Sequence, residues 1–331
     1  MVKAAQTLSM DRLTTINKRW AILLLLLLCA IGLGVLLLPE PQLPPFQAQT
    51  TQGQRFSRLD ATNITRINVN LPQGSEQHLK RVLQLQRRDQ TWWITQPVEF
   101  PANPIQVKKL ISVLYEASHQ QFEIKANELS QYGLERPQML LEFNDEPVRV
   151  GNNDPVYQQR YILHQDKIYL INDTPALWMN KSADAFAQPA LLPETGAIQS
   201  IRLPLFTVLR EKGAWRLTAN PQGNSRSGVS MELTAITSKL STDVLAAYVD
   251  EWRYGQALSV QFNNAIATPK DSPQIIVQQQ GREQAHIFYL DTHNQTLRRD
   301  KPNTTYQLAP ETYRTLTQPT FLKHLLPDSG H

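Results

Sequence analysis

Seven histidines are the first side chains to weigh for chemistry, because imidazole ligates metals and moves protons near neutral pH. They stand at His78, His119, His164, His286, His293, His324 and His331, no two at the i, i+2 or i+4 spacing of a chelating pair, and Cys29 is the only cysteine. A metal centre is not expected from that scatter. Asp291-Thr-His293-Asn-Gln295 has the rhythm of a calcium loop, but it lacks the acid or amide at the third position, the glycine at the sixth and the glutamate at the twelfth. It reads as a turn between strands. Gly223-Asn-Ser225-Arg-Ser227-Gly228 approaches Gly-x-Ser-x-Gly, yet it is one residue too long and no apolar strand runs directly into it. It reads as a flexible loop. Gly32-Leu-Gly34 lies inside an apolar run and there is no Walker lysine, so no phosphate cradle is expected. The basic pairs Arg87-Arg88 and Lys108-Lys109 and the group Arg298-Arg299-Asp300-Lys301 read as solvated charge, the last guarding a hairpin tip, with a headgroup or glycan contact as the rival reading. No catalytic residue, cofactor-binding residue, cofactor or metal ligand is therefore expected.

The aromatic residues give one sharper expectation. Neighbours on a strand point to opposite faces. Trp92 aligns with Trp215 and Ile94 with Leu217, so that face is core, whereas Trp93 aligns with Arg216. Trp93 is the unmatched residue and the candidate partner anchor. The competing account packs it against the stalk or the other copy.

The element that positions everything else is WAILLLLLLCAIGLGVLLL, Trp20 to Leu38. From Ala21 onward it would span roughly 27 Å as a helix, close to the hydrocarbon thickness of a bilayer. Lys3, Arg12, Lys18 and Arg19 precede it against Asp11 alone, so the positive-inside rule places the N-terminus in the cytoplasm. A cleaved signal peptide is the rival, but its apolar region is shorter and ends at a small-residue site that PEPQLPPFQAQ does not offer. The small residues Ala30, Gly32 and Gly34 do not make a Gly-x-x-x-Gly face. Residues 1–19 thus read as a basic cytoplasmic tail, 20–38 as a transmembrane helix and 39–54, rich in Pro and Gln, as an extended stalk.

The charge balance agrees with this. The pI is near 9.1, yet beyond residue 19 the chain carries 29 basic against 28 acidic residues. The excess is a topology signal and argues against nucleic acid as a partner. With no second cysteine the exported part can form no internal disulfide, which fits a bacterial periplasmic domain resting on its core. The Asn-x-Thr/Ser triplets at Asn63, Asn172, Asn180, Asn294 and Asn303 are then chance matches. The expected location is the bacterial inner membrane, single-pass, with the C-terminal region in the periplasm.

The exported part repeats itself. Ile64-Thr-Arg-Ile67 resembles Ile198-Gln-Ser-Ile201, and Trp92-Trp-Ile94-Thr-Gln-Pro97 resembles Trp215-Arg-Leu217-Thr-Ala-Asn-Pro221. Pro137-Gln-Met-Leu-Leu resembles Pro273-Gln-Ile-Ile-Val, and Lys167-Ile-Tyr169 resembles Thr304-Thr-Tyr306. A helix follows each tryptophan strand, and Pro175 and Pro310 each open a short helix. This predicts two α+β repeats, 55–190 and 196–324, each an antiparallel sheet with a packed helix, joined at Ala187–Thr195. Thr65–Leu71, Val82–Arg87 and Trp92–Thr95 read as strands, followed by a meander at about 138–143, 147–151, 157–163 and 167–171. Asn103-Pro104 caps a helix whose buried stripe is Val107, Leu110, Ile111 and Leu114, and Leu233, Ile236, Leu240 and Val244 give the matching stripe.

Together the Trp-x-Ile/Leu-x-x-Pro strand, the amphipathic helix, Tyr132-Gly133-Leu134-x-x-Pro137, Val150-Gly151 and Tyr161 resemble an uncharacterised bacterial envelope family, a domain of unknown function, over roughly Arg55 to Phe321. The second copy departs from that pattern: Gln256 follows Tyr254-Gly255, and no Val-Gly pair follows Pro273. The resemblance implies a partner class, an ABC-type membrane complex of the gliding-motility kind, and no active site. The leading expectation is a non-enzymatic accessory or scaffold subunit confined near the bilayer by its anchor, with membrane lipid around residues 20–38. A periplasmic glycan- or peptide-binding domain is the alternative, and a hydrolase assembled from distant residues is the third.

Overall fold

Arg66–Asn70 (β1) and Val82–Arg88 (β2) pair antiparallel with Ile67 opposite Leu85, which turns both buried side chains to one face. Thr91–Gln96 (β3) adds across the Asp89-Gln90 turn and the short Phe100–Pro101 (β4) closes that edge. The structure is a computed structural model describing residues 53–71, 82–124, 128–179, 181–192, 196–220, 237, 240–262 and 272–322. The apolar run 20–38, residues 39–52, Gly223–Gly228, Leu233 and Ile236 lie outside the described residues. No helix among the described residues is long and apolar enough to cross a membrane.

Asn103 accepts from the Ile105 amide and Pro104 occupies the first turn of the helix Pro104–Ile111 (α1). Its predicted stripe is buried as expected, with Val107, Leu110 and Leu114 at 0 % exposure and Ile111 nearly so, a gain of roughly 1.5–3 kcal/mol for each side chain. Gln120–Glu123 (β5), Met139–Phe143 (β6), Glu146–Asn153 (β7), Gln159–His164 (β8) and Lys167–Asn172 (β9) follow, then the short helix Ala176–Met179 (α2). The second copy comprises Ile198–Arg202 (β10), Phe206–Glu211 (β11), Ala214–Ala219 (β12), Thr242–Tyr254 (α3), Ser259–Phe262 (β13), Gln274–Gln279 (β14), His286–Asp291 (β15), Thr296–Asp300 (β16), Asn303–Gln307 (β17) and Pro310–Thr317 (α4).

The described strands form two antiparallel sheets, ordered β4-β3-β2-β1-β6-β7-β8-β9-β5 and β12-β11-β10-β14-β15-β16-β17-β13. Removing β4 from the first order leaves the second, strand for strand. The duplication read from weak sequence matches is therefore visible in the topology, and the architecture is α+β. The ladders confirm the tryptophan register, since Ile94 faces Leu85 as Leu217 faces Val208. They shift another match by two residues. Ile67 faces Phe143 and Ile201 faces Val277, so Phe143, not Leu141, corresponds to Val277.

Two expectations need correction. Of the predicted stripe, Val244 does not lie on a buried helix face: it is 43 % exposed, and α3 buries Leu245, Tyr248, Val249 and Trp252 instead. The reason is Ser241, whose hydroxyl accepts from the Val244 amide and starts the helix there. Nor does Tyr254-Gly255 correspond to Tyr132-Gly133, because the former ends α3 ahead of β13 while the latter lies between β5 and β6.

The two copies do not keep separate cores. One continuous apolar cluster runs from Phe56 to Leu322 and includes the joint residues Ala187, Leu191 and Leu192. That joint is stitched to both sheets' surroundings, Ala187 bridging Ala102 and Ala190 bridging Gln256. Phe100 of the first copy lies 5.5 Å from Phe262 and 6.5 Å from Tyr306 of the second, measured between ring centroids.

Candidate functional site: a braced hairpin in the first copy

Of the residues carrying the family pattern, Tyr132, Gly133, Leu134, Gly151 and Tyr161 are far apart in sequence but meet at the β7–β8 hairpin. The turn before β6 is closed by Leu134 N–H donating to the Leu129 carbonyl, with Gly133 at φ +67°. A side chain on Gly133 would drive into Asn152, so glycine is needed there for both conformation and space. Asn152 N–H donates to the Tyr132 carbonyl at 2.7 Å. This close approach is why Gly151 has no side chain: a Cβ there would overlap the Tyr132 carbonyl oxygen and the Leu134 side chain. Above the contact the Tyr132 and Tyr161 rings lie 4.7 Å apart, and Phe122 stacks on Tyr132 at 6.5 Å. These rings join Leu134, Leu163 and Ile168 in a second apolar cluster. β8 and β9 are thus covered on both faces, Ile162 and Tyr169 belonging to the main core and Leu163 and Ile168 to this one.

Beneath the rings sits a charged brace. Arg160 is 6 % exposed. Its Nε and Nη2 donate to the two Asp173 oxygens at 2.8 and 2.6 Å, and its Nη1 donates to Gln138 Oε1 and the Gly151 carbonyl at 3.0 Å each. Asn153 also donates to Asp173, and Gln138 to Asn152. A guanidinium so buried is tolerable only when its donors are matched in this way. At the hairpin end Asp154 accepts from the Tyr157 amide at 2.8 Å, and Gln158 takes φ +55° to reverse the chain. The tip is left outside: Val156 is 73 % exposed and Tyr157 66 %.

The second copy shows what this hairpin adds. Val150 faces Ile162 and Leu290 faces Leu297, so the first copy places eleven residues between those partners and the second places six. The shorter turn uses the same device, Asp291 accepting from the His293 and Asn294 amides with Gln295 at φ +54°. It reads as the predicted turn, and its tip is polar. The extra length in the first copy accommodates the brace and the Val156-Tyr157 tip.

Burial raises the Tyr132 phenol to about 12, with Glu128 and Tyr161 adding to it, and burial together with Asp154 raises Tyr161. Both phenols stay protonated at neutral pH, so they serve as packing and hydrogen-bonding groups. The arrangement can present a fixed surface.

Trp93, the partner residue expected from sequence, lies elsewhere. It is half-buried, faces Gln86 and Pro101 across its two ladders, and has the Arg88 guanidinium 5.5 Å from its ring centroid. Arg88 in turn pairs with Glu99 at 2.7 Å. Trp92, on the opposite face, is also half-buried and packs on the main core. The described histidines are dispersed, and among the described residues no group of three or more His, Cys, Asp or Glu side chains is placed to hold a metal. His164 is buried edge-on to Phe56, and His286 donates to Gln279. Of the basic groups, Arg87 donates to the Thr62 carbonyl and Arg299 lies over Phe288, so neither is merely solvated charge.

Residues 92–267, more than half of the chain, match the family described as a domain of unknown function (DUF4340). The chain belongs to that family. The DUF4340 match opens at Trp92 in β3 and covers the whole braced hairpin, so the hairpin is part of the family's own region. No curated protein and no solved structure matches the chain. Sequence reading had found Gly133, Gly151 and Tyr161 but missed Arg160, Asp173 and the tip. The available signal was a cation at the start of one apolar strand and an acid directly after the end of the next, and an apolar pair between Asp154-Pro155 and Gln158-Gln159.

Proposed function

We propose that this DUF4340 protein is a non-enzymatic interaction module of the bacterial envelope. It is tethered to the inner membrane by residues 20–38, with its N-terminus cytoplasmic and its α+β region periplasmic. It serves as an accessory or scaffold subunit of an ABC-type transport assembly of the gliding-motility kind. The observation carrying this reading is the rigidly braced hairpin that exposes Val156 and Tyr157, an apolar contact the shorter hairpin of the second copy lacks. Rigid aromatic residues lose little entropy on docking, which suits them to anchor a partner. Trp93 is the second contact residue on this reading. Anchoring raises the effective concentration of the module for a membrane partner without adding any contact.

Affinity purification from gently solubilised membranes tests this, with the full chain and its Val156→Ser/Tyr157→Ser variant compared. Stoichiometric transporter subunits with the parent and their loss with the variant support the proposal. Recovery of the chain without transporter subunits in both cases refutes it.

A further inference from the structure

The first described residues, far from the braced hairpin in sequence, form a cleft. It holds about 430 Å³ and is lined by Gln54, Arg55, Ser57, Arg58 and Leu59. Its wall is held by specific contacts. The Gln54 carbonyl accepts from the Ser118 amide, Arg55 bridges Ala117, and Phe56 and Ser57 are buried at 4 % and 3 % exposure. With those two side chains turned inward, the flanking Arg55 and Arg58 remain exposed at the cleft. Tyr115 fixes the geometry further: its hydroxyl accepts from the Ala61 amide at 2.8 Å while its ring lies 4.3 Å from the Arg55 guanidinium. A guanidinium seated on an aromatic face keeps its edge donors free.

Arg66, Arg88, Arg160, Arg216 and Arg253 each pair with a carboxylate. Arg55 and Arg58 form no ion pair among the described residues. The acid nearest in sequence, Asp60, is committed to the Thr62 amide, where it starts the turn Ala61–Asn63. Two guanidinium groups lining one concave site suit the planar forked recognition of phosphate.

We propose that this cleft binds a phosphate-type oxoanion, presented either as an anionic lipid headgroup or free in solution. The lipid source rests on the anchor proposed above: sixteen residues separate Leu38 from Arg55, which holds Arg55 within roughly 60 Å of the end of the apolar run.

The test uses the full chain in neutral detergent, titrated calorimetrically with inorganic phosphate and with dihexanoyl phosphatidylglycerol, with dihexanoyl phosphatidylcholine as the zwitterionic control. Arg55→Gln/Arg58→Gln should weaken binding of the preferred probe by about tenfold or more, and added salt should weaken it in the parent. Lys108→Gln/Lys109→Gln, on exposed helix positions, should bind as the parent does. Phosphatidylglycerol preferred over both other probes supports the headgroup source, and equal binding of phosphate and phosphatidylglycerol supports the free oxoanion. Absence of binding to either anionic probe, or binding unchanged in the arginine variant, overturns the site. If the double variant unfolds, Arg58→Gln alone carries the same comparison. The outcome is separable from transporter association, which the Val156 and Tyr157 substitutions report.

Discussion

Gly151 shows how much one missing side chain decides. Its backbone lies against the Tyr132 carbonyl, where a methyl group has no room, and the obstacle is main chain that cannot swing aside. Gly151→Ala should therefore cost on the order of 2 kcal/mol or more, read as a lowered urea midpoint. Gly213→Ala, in a turn where no atom lies within 4 Å of the added carbon, should act through backbone strain alone. His286 offers a pH test. Gln279 Nε2 donates to the Gly196 carbonyl, which leaves Oε1 to accept from His286 Nε2–H and fixes the neutral tautomer. Burial, with Arg299 and Arg282 nearby, lowers the His286 pKa from 6.5 to about 4. The unfolded chain takes up the proton first on acidification. Stability is thus full above pH 6.5 and falls as pH drops toward about 4, by roughly 3 kcal/mol at most. Comparing urea midpoints at pH 7 and pH 4.5 for the parent and His286→Gln should show the steeper loss in the parent.

At the scale of elements, the β7–β8 hairpin is the part most readily changed without touching the core. Replacing residues 151–161 with the six that span 291–296 in the second copy should remove the brace and tip together and leave Val150 facing Ile162. We expect the hybrid to fold with a reduced melting temperature, because Asp291 brings a side chain to the position where Gly151 lies against the Tyr132 carbonyl, and the cluster around Tyr132 loses Tyr161. Partner recovery should vanish; retained recovery would remove the tip from the interface. Most elements were legible for a clear reason. The meander β6 to β9 alternates or runs apolar between turn residues, and Asn103-Pro104 announces α1. β5 was not legible, since Gln120-Gln121-Phe122-Glu123 has no pattern of its own and becomes a strand by pairing with β9. β4, two residues long, likewise exists only against Trp93 and Ile94. The stripe ending at Val244 misled because the apolar periodicity runs across Ser241, where α3 begins. The candidate site was half legible: glycines betray tight approaches, but the Arg160–Asp173 pair is assembled by strands whose register no local pattern states.

For the whole molecule, the shared core predicts one cooperative unit where the sequence suggests two domains. Thermal unfolding followed by near-UV and far-UV dichroism should give coincident transitions. Phe100→Ala, removing a side chain 3 % exposed at the contact between copies, should lower both together, by about 3–5 kcal/mol. Two separated transitions would contradict a single unit.

The stitched joint carries a practical consequence. Because Leu191 donates to the Gly255 carbonyl and Ala257 to that of Pro189, the strip between the copies is held by main-chain bonds as well as by burial. A gene cut between Leu192 and Gly196 would release two polypeptides, each with a bare greasy face shaped to its former neighbour. Co-expressed, they should find one another and rebuild the parent, which makes this protein a natural starting point for a split reporter in the compartment where it resides.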